Sequence, residues 1–209
     1  MDRNGSLIVL SGFSGVGKGT VSKEIVKKYG YHLSVSATTR GPRPGEEHGR
    51  EYFFLSKEEF LDSVAQNGFI EYAQYVNNYY GTPRKFVEEK LESGQGVILE
   101  IEVQGALAIK EQYPDAILIF LTAPTAADLK ERLIGRGSET MDVINDRLKR
   151  AVEEAEFIDH YDYIVCNETG KIEKCMEDIH NIIETENTKV RKQQNFIAGL
   201  KEELKTYEQ

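Results

Sequence analysis

Apolar residues in this chain gather into short unbroken runs separated by stretches of helical period. The runs at 7–10 (LIVL), 97–99 (VIL), 117–121 (ILIFL) and 163–165 (YIV) have strand length and no polar interruption, the pattern of strands buried on both faces. Each adjoins a helical pattern, so the chain reads as α/β with a parallel core sheet covered by helices. The first helix is expected to run from residue 18 through Val21, Ile25 and Val26 and to stop at Gly30, with a short strand near 33–35 after it.

Between residues 36 and 84 the pattern changes. SATTRGPRPGEEHGREYFFL is rich in turn formers and arginine, and FIEYAQYVNNYYGTP is crowded with aromatics, which together read as an inserted lobe. A helix from 57 to about 66 separates the halves, and Pro83 is placed to begin another, with Phe86, Val87 and Leu91 on one face. Further on, 128–136 and 141 to about 157 form an amphipathic helical pair, with Gly135 and Gly137 between them as candidate hinges. The pair bears Arg132, Arg136 and Arg147, and such a hairpin can close over a ligand. After the last strand, 172–183 is helical, and 184–209 reads as a charged helical extension with Phe196, Ile197, Leu200 and Leu204 on one side, a stripe for packing or self-association.

The chemistry concentrates after the first strand, in GFSGVGKGT: Gly12, Phe13, Ser14, Gly15, Val16, Gly17, Lys18, Gly19 and Thr20. Glycines there let the backbone approach an anion closely, amides converge on phosphate oxygens, the helix N-terminus favours negative charge, and Lys18 reaches the terminal phosphates. A nucleoside triphosphate is the expected ligand. The motif ends on Gly19 where a hydroxyl is usual, with Thr20 one residue late, so direct magnesium ligation by that hydroxyl is not expected.

Composition narrows the partners. A formal net charge of −9 over 209 residues argues against general nucleic-acid binding, so an anionic ligand needs a local arginine cluster. Two cysteines, Cys166 and Cys175, fit a reducing compartment, offer no metal-ligand spacing, and are expected to be buried or idle. No apolar stretch has signal-peptide or membrane-spanning length, so a cytoplasmic location is expected, with no membrane partner and a monomer or homodimer.

GFSGVGKGT, SVSATTRGPRPGEEHGREYFF, FIEYAQYVNNYYGTP, LEIEVQGA and RLIGRGSET with INDRL after it occur in the order and spacing of guanylate kinases, and the chain resembles that family from residue 7 to about 167. The resemblance implies a P-loop NTPase fold, three-layer α/β/α, with a core of 1–35, 85–125 and 158–209, an inserted GMP-binding lobe at 36–84 and a helical lid at 126–157. It implies ATP and GMP as substrates, with Mg²⁺ as cofactor. Guanidinium forks of Arg40 and Arg43, with the Tyr52 and Tyr80 hydroxyls, would take the GMP phosphate. Guanine presents N1–H and N2–H₂ donors beside an O6 acceptor, and the resemblance places Glu71 on the donors, Ser36 and Thr82 near O6, and Glu102 within reach of the exocyclic amine. Glu100 closes the run at 97–99 and counts with the GMP-binding residues, where it orients magnesium waters or forms a strand-end ion pair with Lys18. Lys18, Arg43, Arg132, Arg136 and Arg147 are the catalytic candidates, the lid arginines stabilising charge on the transferring phosphoryl group. For Arg132 the competing reading is a solvated pair with Asp128 four residues earlier.

Phe13, Tyr72 and Asn77 depart from residues common in that family, and none removes a required charge or hydroxyl. A second function class, a catalytically inactive guanylate-kinase-like binding module, is separated from the enzyme by Gly17 and Lys18, which such modules typically lose. A kinase of other base specificity is separated by base choice.

Overall fold

The structure, a computed structural model, describes residues 5–75, 77–135 and 140–207. In chain order its elements are β1 (Leu7–Gly12), α1 (Lys18–Tyr29), β2 (His32–Leu33), β3 (Ala37–Thr38), β4 (Phe53–Phe54), α2 (Lys57–Ala65), β5 (Phe69–Tyr75), β6 (Asn78–Pro83), α3 (Arg84–Glu92), β7 (Val97–Glu100), α4 (Val103–Gln112), β8 (Ile117–Thr122), α5 (Ala126–Gly135), α6 (Met141–Ala155), β9 (Tyr163–Cys166), α7 (Ile172–Asn187) and α8 (Gln194–Lys205).

All the expected core strands join one sheet in the order β2-β7-β1-β8-β9, every pair parallel. Central β1 shows why its sequence is a continuous apolar run. Successive side chains alternate faces, so Ile8 and Leu10 pack with Val21 and Ile25 of α1 and Ile179 and Ile183 of α7. Leu7 and Val9 pack with Val87 of α3 and Ala106 and Ile109 of α4. Both faces are thus covered, which makes three layers. Ligand sites in such sheets lie beyond the carboxyl ends of the strands, and here both the loop after β1 and Glu100 at the end of β7 occupy that rim.

A second sheet, β4-β3-β6-β5, comes from the stretch read as an insertion. It has its own small core of Phe60, Phe69 and Ala37, with Phe53 and Tyr79 packed against it. Phe60 stacks on Phe69 at 4.5 Å. Helix α2 is fixed at its start by a capping box, Ser56 accepting from the Glu59 N–H while Glu59 accepts from the Ser56 N–H.

Several boundaries differ from the sequence reading. Strand β2 lies at His32–Leu33 rather than 33–35, because His32 and Leu33 pair with Val97 and Ile98. Pro83 ends β6 and caps α3 rather than lying in its first turn. The tail is not one helix: α7 runs on to Asn187, a 3₁₀ turn follows at Val190–Lys192, and α8 comes after it. Phe196, Leu200 and Leu204 of α8 are exposed. Cys175 is buried as expected, and its thiol is pushed up to about 11 by that burial, whereas Cys166 is exposed. Arg136 and Gly137 lie outside the described residues. Among the described residues, no helix is long and apolar enough to cross a membrane.

Candidate functional site

The loop from Gly12 to Gly17 joins β1 to α1. Gly17 caps α1 with φ 99°, a left-handed conformation that any Cβ would strain, and an added Cβ would lie 2.9 Å from the Asn167 side chain. Lys18 folds back on the loop, its Nζ 2.7 Å from the Gly12 carbonyl and 3.4 Å from that of Phe13. These bonds hold the ammonium over the loop and can be exchanged for phosphate oxygens. Thr20 is exposed on α1.

Glu100 faces the same spot. Its carboxylate oxygens stand 3.5 and 3.7 Å from where a Cβ on Gly19 would sit. Burial pushes its pKa up, while the nearby Lys18 charge pulls it down. It thus sits within the field of Lys18, but the Lys18 ammonium is hydrogen-bonded to the loop carbonyls.

In the second sheet, β5 and β6 bring Glu71 and Thr82 together as direct partners in the antiparallel register. The Thr82 hydroxyl donates to Glu71 Oε1 at 2.6 Å, and both residues are buried. Burial raises the Glu71 pKa against that hydrogen bond. Its other oxygen, Oε2, lies 2.9 Å from the position of a Cβ on Gly105. Gly105 of α4 therefore makes room for this carboxylate, and any side chain there would displace it. The sequence reading gave Gly105 no role, although a glycine within an apolar helical turn was the available signal.

Arg40 lies over the rings of Tyr52 and Phe54, 5.4 and 5.8 Å from their centroids, and its guanidinium pairs with Glu46 at 2.9 Å. The nearby Tyr80 side chain favours its charged form as well. Glu46 is held below the usual carboxylate range by the Arg43 backbone N–H and by Arg40. Tyr52 stands edge-on to Tyr80 at 6.1 Å, its hydroxyl pKa raised by burial and by the Glu100 charge. The Arg43 side chain is exposed, and Ser36 is half-buried just before β3. Glu102 is exposed at the start of α4, where its charge acts on Glu100 and Glu154.

Of the three arginines expected to converge, the two among the described residues divide. Arg147 of α6 donates to the Ser14 hydroxyl at 2.8 Å, at the mouth of the loop. Arg132 of α5 turns the other way and donates to the carbonyls of Asn167 and Val16, at 2.6 and 3.3 Å, and to the Thr169 hydroxyl at 3.0 Å. The solvated pair with Asp128 is not what it makes: the Asp128 carboxylate accepts from the Thr125 hydroxyl, which itself accepts from the Asp128 N–H at the start of α5. The reason is reach, since one face of α5 lies over the turn after β9. Arg132, Asn167, Thr169 and Gly170 line a cavity of ≈ 520 Å³ together with Gly15, Gly17 and Thr20. Asn167 Nδ2 donates to the Val16 carbonyl at 2.9 Å. The sequence reading missed Asn167 and Thr169, which follow the last strand in a short polar segment with no motif of its own.

The Guanylate kinase family model matches residues 4–186. A guanylate kinase of Latilactobacillus sakei is 48% identical over 91% of this chain and 94% of its own length, and that of Lactiplantibacillus plantarum is 49% identical over 92% and 93%. The crystal structure of guanylate kinase from Anaplasma phagocytophilum superimposes with a TM-score of 0.74 at 31% identity, covering 91% of this chain and 90% of that one.

Proposed function

The chain belongs to the guanylate kinase family, and we propose how its residues carry out the phosphotransfer from ATP to GMP. The observation that carries the assignment of parts is the buried Glu71–Thr82 pair on one sheet, with Lys18 at the end of the other.

ATP lies with its phosphates in the loop from Gly12 to Thr20 and its adenosine in the cavity between Arg132, Asn167 and the outer side of the loop. GMP lies in the lobe of 36–84. Arg40, Arg43, Tyr52 and Tyr80 hold its phosphate, with Arg40 exchanging Glu46 for phosphate oxygens. Glu71 accepts from guanine N1–H and N2–H₂, and Thr82 and Ser36 stand near O6, with Glu102 at the edge. The lid of 126–157 closes over the core formed by 1–35, 85–125 and 158–209, which excludes water from the reacting phosphates.

A GMP phosphate oxygen attacks the γ-phosphorus, and the bond from that phosphorus to the β–γ bridging oxygen breaks, so ADP leaves as GDP forms. The attacking oxygen is already ionised near neutral pH, so no side-chain base is required. Lys18 and Arg147, with Arg136 on the segment after α5, stabilise charge on the equatorial oxygens as it shifts.

The donors at the loop suit Mg²⁺ held largely through phosphate and water. Glu100 is a hard oxygen donor facing Gly19, and among the described residues no cluster of three His, Cys, Asp or Glu forms a protein cage. Glu100 would orient its waters. When bound, the ion neutralises charge on the β- and γ-phosphates.

A coupled ADP-release assay across nucleoside monophosphates tests the base assignment. GMP is expected to be the best substrate, dGMP weaker, and AMP at least about 100-fold lower in kcat/KM, because adenine leaves the buried Glu71 carboxylate unpaired. Equal turnover of AMP would overturn it.

A further inference from the structure

We propose that Arg84 is a positioning residue for guanine recognition, pinning the start of β5 to α3 and α4 so that the Glu71 carboxylate is held by the core rather than by the inserted lobe. This rests on the reading of Glu71 as the carboxylate that accepts from guanine.

Strand β5 belongs to the second sheet, yet its first residues divide between two cores. Phe69 packs with Phe60 and Ala37 in the lobe, whereas Ile70 is buried with Val87 of α3 and Ala106 and Ile109 of α4. The register allows this. Phe69 pairs with Pro83 and Glu71 with Thr82, which leaves Ile70 in excess as a bulge, the device by which a strand re-aims its side chains. Glu71 follows directly, with its Oε2 against Gly105 of α4.

Arg84 fastens this junction from both sides. Toward the lobe, its Nε donates to the Asn67 carbonyl at 2.9 Å, and its Nη2 donates to the Asn67 side-chain oxygen at 3.1 Å and to the Phe69 carbonyl at 2.8 Å. Toward the core, its Nη1 donates to Glu88 Oε1 on α3 at 3.2 Å and to the hydroxyl of Tyr113, at the end of α4, at 3.3 Å. Its backbone N–H donates to the Gly68 carbonyl at 2.9 Å. Asn67 takes φ 55°, an uncommon conformation for a residue other than glycine that persists where its surroundings fix it. Both of its oxygens are held by Arg84. Helix stability does not account for this arginine, since it is the first residue of α3, where a cation opposes the helix dipole. What it supplies is a planar fork that spans the junction, which a single ammonium cannot do.

The test compares Arg84→Ala and Arg84→Lys in the full chain. Arg84→Ala is expected to raise the GMP KM about 10-fold with the ATP KM within about two-fold, the size of a charged hydrogen bond weakened but not removed. Base discrimination is the sharper readout. Inosine monophosphate lacks the 2-amino group, so a displaced carboxylate loses less with it than with GMP. The kcat/KM ratio of GMP over that analogue is therefore expected to fall about 5-fold. A general loss of folded protein lowers both substrates alike and leaves the ratio unchanged. Arg84→Lys keeps the stem and the charge but not the fork, and is expected to raise the GMP KM by about 3-fold or more. It carries the test if the alanine variant does not fold.

In a Glu71→Gln background, Arg84→Ala should add less than about two-fold, because the group it positions is gone. Three outcomes would overturn the positioning role: a GMP KM and base preference unchanged within about two-fold in Arg84→Ala, full rescue by lysine, or additive losses in the double variant. A harmless Glu71→Gln would overturn its premise instead, since only that outcome removes the loss from the single Glu71 variant.

Discussion

Lys18→Ala is expected to lower kcat by about a thousand-fold, the equivalent of about 4 kcal/mol of transition-state stabilisation. The ammonium is the group the loop itself aims at the phosphates, and its present partners are the Gly12 and Phe13 carbonyls, which a triphosphate can displace. GMP binding should survive within about two-fold, as calorimetry would show, because Lys18 is no part of the lobe that receives GMP and acts there only through screened, longer-range charge. Loss of GMP affinity in this variant would mean that the two nucleotide sites are not separate.

A substitution in the other lobe should produce the opposite pattern. Glu71→Gln is expected to raise the GMP KM about 100-fold, or about 3 kcal/mol, with the ATP KM changed less than two-fold. Guanine offers two donor groups on one edge, and a carboxylate accepts both. An amide accepts at one atom and opposes a donor with a donor at the other. Steady-state kinetics with each substrate varied in turn would show the split, and a GMP KM altered less than three-fold would remove Glu71 from base recognition.

Much of this architecture was legible because its signals are local. The run LIVL alternates its side chains between two helix layers and so has to be apolar at every position. Gly17, Lys18 and Gly30 act through backbone geometry and charge within their own turn, and α1 begins and ends where they indicate. The site residues that escaped the sequence are those whose role depends on long-range packing. Gly105 matters because Glu71, far away in sequence, approaches it closely, and Asn167 matters because Arg132 and Val16 reach it. Arg132 was legible as a charge on one helix face, but its direction was not, since periodicity gives a helix face and not what that face meets. Glu154 drew no role from the sequence, and only the fold shows that it is buried.

The most direct measurement of two nucleotides held end to end is a calorimetric titration with a single molecule that joins them, an adenosine and a guanosine linked 5′ to 5′ through five phosphates. One such molecule per chain is expected to bind at least about 100-fold more tightly than GMP, because the second contact becomes intramolecular, with the gain lost in both Lys18→Ala and Glu71→Gln. Two molecules bound per chain, or an affinity no better than that of GMP, would contradict a common cleft in which the loop at Lys18 faces the carboxylate at Glu71.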